Sequence, residues 1–99
     1  MAQENLNREL VDFETAHVAI GFVRGYVLSV SGETPRPMEV KLEPAPFDER
    51  PEWWRIEVAG YSPDLGPEVK TPYRVQFGFD NVKGSKGIEL IGKTKSKRL

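Results

Sequence analysis

The sequence predicts an all-β fold, a small antiparallel barrel or sandwich of five to seven strands, on three observations. Apolar residues alternate with a period near two over most of the chain, the pattern of half-buried strands. All eight prolines fall into three clusters between those stretches, and proline cannot donate to a sheet ladder, so the clusters mark loops. No stretch between them is long enough for the helical crossovers that join parallel strands, which predicts a largely antiparallel sheet.

The N-terminal segment, residues 1–14, is expected to form a short helix or an arm. Leu6, Leu10 and Phe13 are spaced i, i+4, i+7, which suits one helical face. The alternation of Val11, Phe13 and Thr15 also fits a backward extension of the first strand. A single β-domain is expected over residues 15–92. Its first stretch, Ala16 to Ser31, places Val18, Ile20, Phe22, Tyr26, Leu28 and Val30 on one face, interrupted by Arg24 alone, and smaller or β-branched residues with Gly21 and Gly25 on the other. Glycine inside a strand marks a bend or a close backbone approach. A long bent strand would serve both faces, and an OB-like or SH3-like barrel is the architecture it matches by analogy. The alternative is a hairpin turning at Arg24-Gly25, without the Asn-Gly or Asp-Gly pair that tight hairpins prefer.

Three further strands alternate cleanly. Met38, Val40 and Leu42 point inward in the second, and Trp54, Ile56 and Val58 in the third. In the fourth, Tyr73, Val75, Phe77 and Phe79 point inward, while Arg74, Gln76 and Gly78 face out. The polar run Asp80 to Gly87 forms a turn before a short fifth strand, Ile88 to Ile91. Residues 93–99 read as a flexible basic tail.

Ninety-nine residues are enough for one modest core and no second domain. The absence of cysteine excludes disulfides, thiolate metal sites and a cysteine nucleophile. No apolar run approaches the roughly 20 residues that span a bilayer, and the first residues lack the pattern of a secretory signal, so the expected compartment is the cytoplasm, with no membrane partner. Residues 1–50 hold five basic and nine acidic side chains, and residues 51–99 nine basic and six acidic. Four of the latter bases, Lys93, Lys95, Lys97 and Arg98, fall in the last seven residues, so any attraction for polyanions is local.

Few motifs carry chemistry. Gly87-Ile88-Glu89-Leu90-Ile91-Gly92-Lys93-Thr94 fits the phosphate-loop pattern G-x-x-x-x-G-K-[ST]. That loop needs a helix after it, yet only five residues follow Thr94, and its interior here is strand-forming, so the match is fortuitous. His17 is the only histidine; a metal site or a triad would need partners that sequence cannot place. Asp48, Glu49 and Glu52 lie in a proline-rich polar loop where solvation explains them. No catalytic role, metal or cofactor is expected.

Trp53 carries the strongest functional signal. Adjacent residues of a strand face opposite ways, so if Trp54 is core, Trp53 shares the outer face with Arg55. If the third and fourth strands pair, Arg74 and Gln76 lie beside it. An aromatic flanked by arginines holds peptides or stacks bases. The expected function is therefore a non-enzymatic binding or adaptor module for a protein or peptide. A single-stranded nucleic-acid binder of OB-like type, using this face and the tail, is the alternative. Uncovered strand edges would also allow copies to pair.

Overall fold

A computed structural model describes residues 6–21, 25–63 and 67–99. The fold is all-β, as the alternation predicts, and its two sheets pack as a sandwich without closing into a barrel. Eight strands are described: β1 Leu6–Leu10, β2 Thr15–Ile20, β3 Tyr26–Thr34, β4 Glu39–Pro44, β5 Trp53–Pro63, β6 Thr71–Phe79, β7 Gly87–Ile91 and β8 Ser96–Arg98. One sheet has the order β2-β3-β6. The other is built on β5, with β4 on one edge, β1 and β7 sharing the other edge, and β8 outside β7.

Three expectations need correction. The first stretch is not one bent strand but the hairpin β2–β3, closed by Gly21 N–H donating to Gly25 O at 2.9 Å. Gly25 takes φ +81°, and a side chain there would lie 2.6 Å from Phe79 O; only glycine turns the chain at that point. Phe22, Val23 and Arg24 lie outside the described residues. Second, residues 6–10 form a strand, not a helix. The parallel partner β7 covers only Trp53–Glu57 of β5, and β1 pairs the next stretch, Ala59–Pro63. The backbone groups of that second half thus find partners in β1, and sheet pairing overrides the helical spacing. Third, residues 93–99 are not a free arm: Gly92 N–H donates to Lys95 O, and the chain returns as β8 against β7.

The alternating inward faces meet between the sheets. Leu28 and Val30 come from one sheet, and Ile56, Val58, Ile88 and Leu90 from the other; all are essentially inaccessible to solvent. Trp54 packs edge-on against Phe77 and Phe79, with centroids 6.0 and 5.5 Å apart. Val11 and Phe13 fill the corner where the chain passes from one sheet to the other. The parallel pairing of β5 and β7 needs no helix, because the intervening β6 runs in the opposite sheet.

Asp12 ties this corner to the β7–β8 turn. Its carboxylate accepts from the backbone N–H of Thr94 at 2.7 Å and from the Thr94 hydroxyl. These two bonds, and the nearby N–H groups of Lys95 and Lys93, hold its pKa below the ordinary carboxylate value. A depressed folded-state pKa gives stability that is present above about pH 4 and is lost as pH falls through the folded value. Asp12→Asn is expected to lower stability at neutral pH by about 1–2 kcal/mol, the scale of an exposed bond to a charged acceptor. Urea unfolding at pH 7 and pH 3 checks it: the gap between variant and wild type narrows at the lower pH.

Candidate functional site

Trp53, the first residue of β5, points to the outer face of its sheet while Trp54 enters the core. Opposite Trp53 across the parallel ladder stands Gly87. A Cβ on Gly87 would come within 3.2 Å of Trp53 Cζ3, so the bare backbone leaves room for the indole. Its φ of +140° is a further reason for glycine here. From β8, Arg98 lays its guanidinium over the indole, with Cζ 4.6 Å from the ring centroid, a cation–π contact.

Register completes the cluster. Arg55, Glu89 and Arg98 align across β5, β7 and β8, and both arginines bond Glu89 through Nε, at 3.3 and 3.2 Å. Glu89 is largely buried between them, its side chain 13% exposed. Using Nε leaves the terminal guanidinium nitrogens of Arg55 and Arg98 without a hydrogen-bond partner among the described residues, and two arginines against one glutamate leave the surface cationic.

The β4–β5 loop supplies the other wall. Ala45 N–H donates to Arg55 O at 2.9 Å, anchoring the loop beside the arginine. Beyond it Pro46, Phe47 and Pro51 face Trp53 across an open cleft of about 380 Å³, within the size range of ligand sites. Phe47 is 46% exposed and also borders a shallower hollow with Tyr26, Arg50 and Lys83. Sequence reading took the proline-rich loop as punctuation and missed Phe47 and Glu89. An aromatic alone between prolines and charges was the available signal for Phe47; nothing in sequence marks Glu89 as the link between the arginines.

Arg74 and Gln76 do not join this site, which corrects the expected pairing. Their strand β6 pairs with β3, in the other sheet. Because β5 and β6 face each other through Trp54, Phe77 and Phe79, their outward residues lie on opposite surfaces of the sandwich. Arg74 and Gln76 instead lie with His17, Thr15, Ser29 and Ser31 around a smaller hollow.

The basic residues of the C-terminal segment are scattered rather than pooled. Lys95 sits over the Phe13 ring at 4.9 Å, and Lys97 reaches Ala16 O at 3.4 Å. Lys93 is exposed in the β7–β8 turn, and only Arg98 belongs to the cleft. Gly87 to Ile91 of the fortuitous phosphate motif form β7 itself, and Gly92 begins the turn to β8. Among the described residues, no three His, Asp or Glu side chains gather as a metal would require, and no helix is long and apolar enough to cross a membrane. Comparison of the chain with protein-family models, curated proteins and solved structures finds no match in any of the three.

Proposed function

We propose that this protein is a non-enzymatic binding module that holds an extended, acidic peptide segment of a protein partner in the Trp53 cleft. The observation that carries the reading is Arg98, fixed over Trp53 by Glu89 and facing an exposed phenylalanine across an open cleft. Aromatic rings and arginines of this kind supply most of the energy at binding surfaces. Their fixed arrangement also spares the ordering cost of association. The guanidinium forks offer paired donors to a carboxylate, and the Pro46–Phe47–Pro51 wall suits an apolar or proline side chain.

Selection from a displayed peptide library is expected to enrich sequences with acidic residues beside an apolar anchor. Trp53→Ala should weaken the selected peptide at least about thirtyfold, the effect of losing 2 kcal/mol at a binding hot spot. Its unfolding transition should remain cooperative, because the indole packs on the surface. Equal binding by the variant would overturn the assignment. Single-stranded nucleic acid is the competing occupant, supported by the neighbouring hollow that adds Tyr26, Arg50 and Lys83 to Phe47. Tighter binding of an oligonucleotide than of any peptide, falling steeply with salt, would decide for it. Glu89 neutralises part of the charge of Arg55 and Arg98, leaving the cleft too weakly cationic for a polyphosphate backbone, which favours the peptide.

A further inference from the structure

We infer a second binding site, for a tetrahedral oxyanion, on the outer face of the three-stranded sheet. Register places two rows of side chains across β2, β3 and β6. Thr15, Ser31 and Arg74 stand opposite one another in one row; His17, Ser29 and Gln76 stand in the next. The strands alternate, so all six project to the same outer face. Neighbouring strands lie about 4.8 Å apart and next-but-one residues about 6.7 Å, so the rows frame a patch of about 10 by 7 Å. At its centre is the hollow these side chains line, about 180 Å³.

The chemistry of the frame is one-sided. A guanidinium, three hydroxyls, a carboxamide and an imidazole all have N–H or O–H groups to give, and none of the six is a carboxylate. The groups are already partly tied together. Thr15 and Ser31 share a hydrogen bond between their hydroxyls, and Gln76 Nε2 donates to Ser29 Oγ at 3.4 Å. Two acids stand close by and neither is within ion-pair distance of Arg74: Glu14, which lines the adjoining hollow with Ser31 and Arg74, and Glu33, exposed on the same face of β3 one residue pair beyond Ser31.

The opposite outer face shows the contrast. There Arg8 bridges Glu43 and Glu57, Lys41 meets Glu39, and Arg55 and Arg98 share Glu89. Each arginine of that face has at least one carboxylate partner within the protein. Arg74 forms no ion pair among the described residues, and it stands beside the hydroxyls of Thr15, Ser29 and Ser31. A cation left unmatched inside a ring of hydrogen-bond donors is complementary to phosphate or sulfate, free or as a monoester. Arginine geometry suits such oxygens through paired N–H bonds.

The test is titration of the full chain with inorganic phosphate, and separately with O-phosphoserine, at constant ionic strength held with chloride. Backbone amide shifts of Thr15, His17, Ser29, Ser31 and Gln76 report on the site. Saturable shifts confined to these rows are expected, and Arg74→Ala should weaken them at least tenfold while Arg74→Lys keeps part of the affinity. Tighter binding of O-phosphoserine assigns the site to monoesters, and equal binding to the free ion. Shifts that never saturate, that follow chloride alone, or that persist in Arg74→Ala overturn the inference. Arg74 is exposed, so an unchanged spectrum elsewhere establishes that the variant folds. Trp53→Ala should leave the titration unchanged, which keeps this site separable from the peptide cleft.

Discussion

Trp54→Ala is expected to cost about 3–5 kcal/mol of stability, whereas Trp53→Ala, one residue earlier, leaves the fold in place. The neighbours differ because a strand sends successive side chains to opposite faces. Trp54 is 5% exposed and meets Phe77 and Phe79 edge-on. Deleting the indole removes its transfer energy and leaves a cavity between the two sheets that rigid neighbours cannot close. A domain of this size has about 5–15 kcal/mol to lose, so the variant should unfold at far lower denaturant or not fold at all. Trp53 lies outside, beneath Arg98, and its loss removes one face of a cleft. Urea unfolding of the pair makes the comparison direct. Equal destabilisation by both substitutions would mean that Trp53 is structural, and the proposed peptide cleft would lose its centre.

Gly84→Ala is expected to destabilise by about 3 kcal/mol, the upper part of the range for overpacking. A Cβ on Gly84 would lie 2.3 Å from Gly87 O, 2.5 Å from Trp54 N and 2.9 Å from Glu52 O. All three are backbone atoms, so no side chain can swing aside. Two hydrogen bonds bracket the contact: Ser85 N–H donates to Pro51 O at 3.0 Å and Lys86 N–H to Glu52 O at 2.7 Å. Together they seat the β6–β7 loop on the entry to β5. Forcing this loop outward also shifts Gly87 from beneath the Trp53 ring, so peptide affinity should fall together with stability. Lys83→Ala, exposed on the same loop, is the control and should stay within about 0.5 kcal/mol of wild type. A Gly84→Ala protein as stable as that control would show that the loop accommodates the methyl group, and that the fit drawn here is wrong.

Much of the strand content was legible, because alternation is a local property. The inward sets Met38–Val40–Leu42, Trp54–Ile56–Val58 and Tyr73–Val75–Phe77–Phe79 all face the core or its margin, as their spacing predicts. The N-terminal segment was not legible: Leu6, Leu10 and Phe13 satisfy a helical period, and only the need of β5 for a partner beyond β7 selects a strand. The hairpin of β2 and β3 escaped for a related reason. Its turn has no favoured two-residue signature and depends on Gly25 tolerating a positive φ against Phe79.

The candidate sites divide along the same line. Sequence alone determined that Trp53 and Trp54 must part, that Trp53 and Arg55 share a face, and that Arg74 and Gln76 point away from the core. These follow from the two-residue repeat of a single strand, which needs no knowledge of its neighbours. Which strands stand together was decided only by the tertiary structure. It brought Arg98 from the far end of the chain onto Trp53, set Glu89 between two arginines, and carried Arg74 and Gln76 to the opposite sheet beside His17. The physical reason is that pairing is a competition among edges. Each strand takes the partner that buries its apolar face and satisfies its backbone, and that choice belongs to the whole chain.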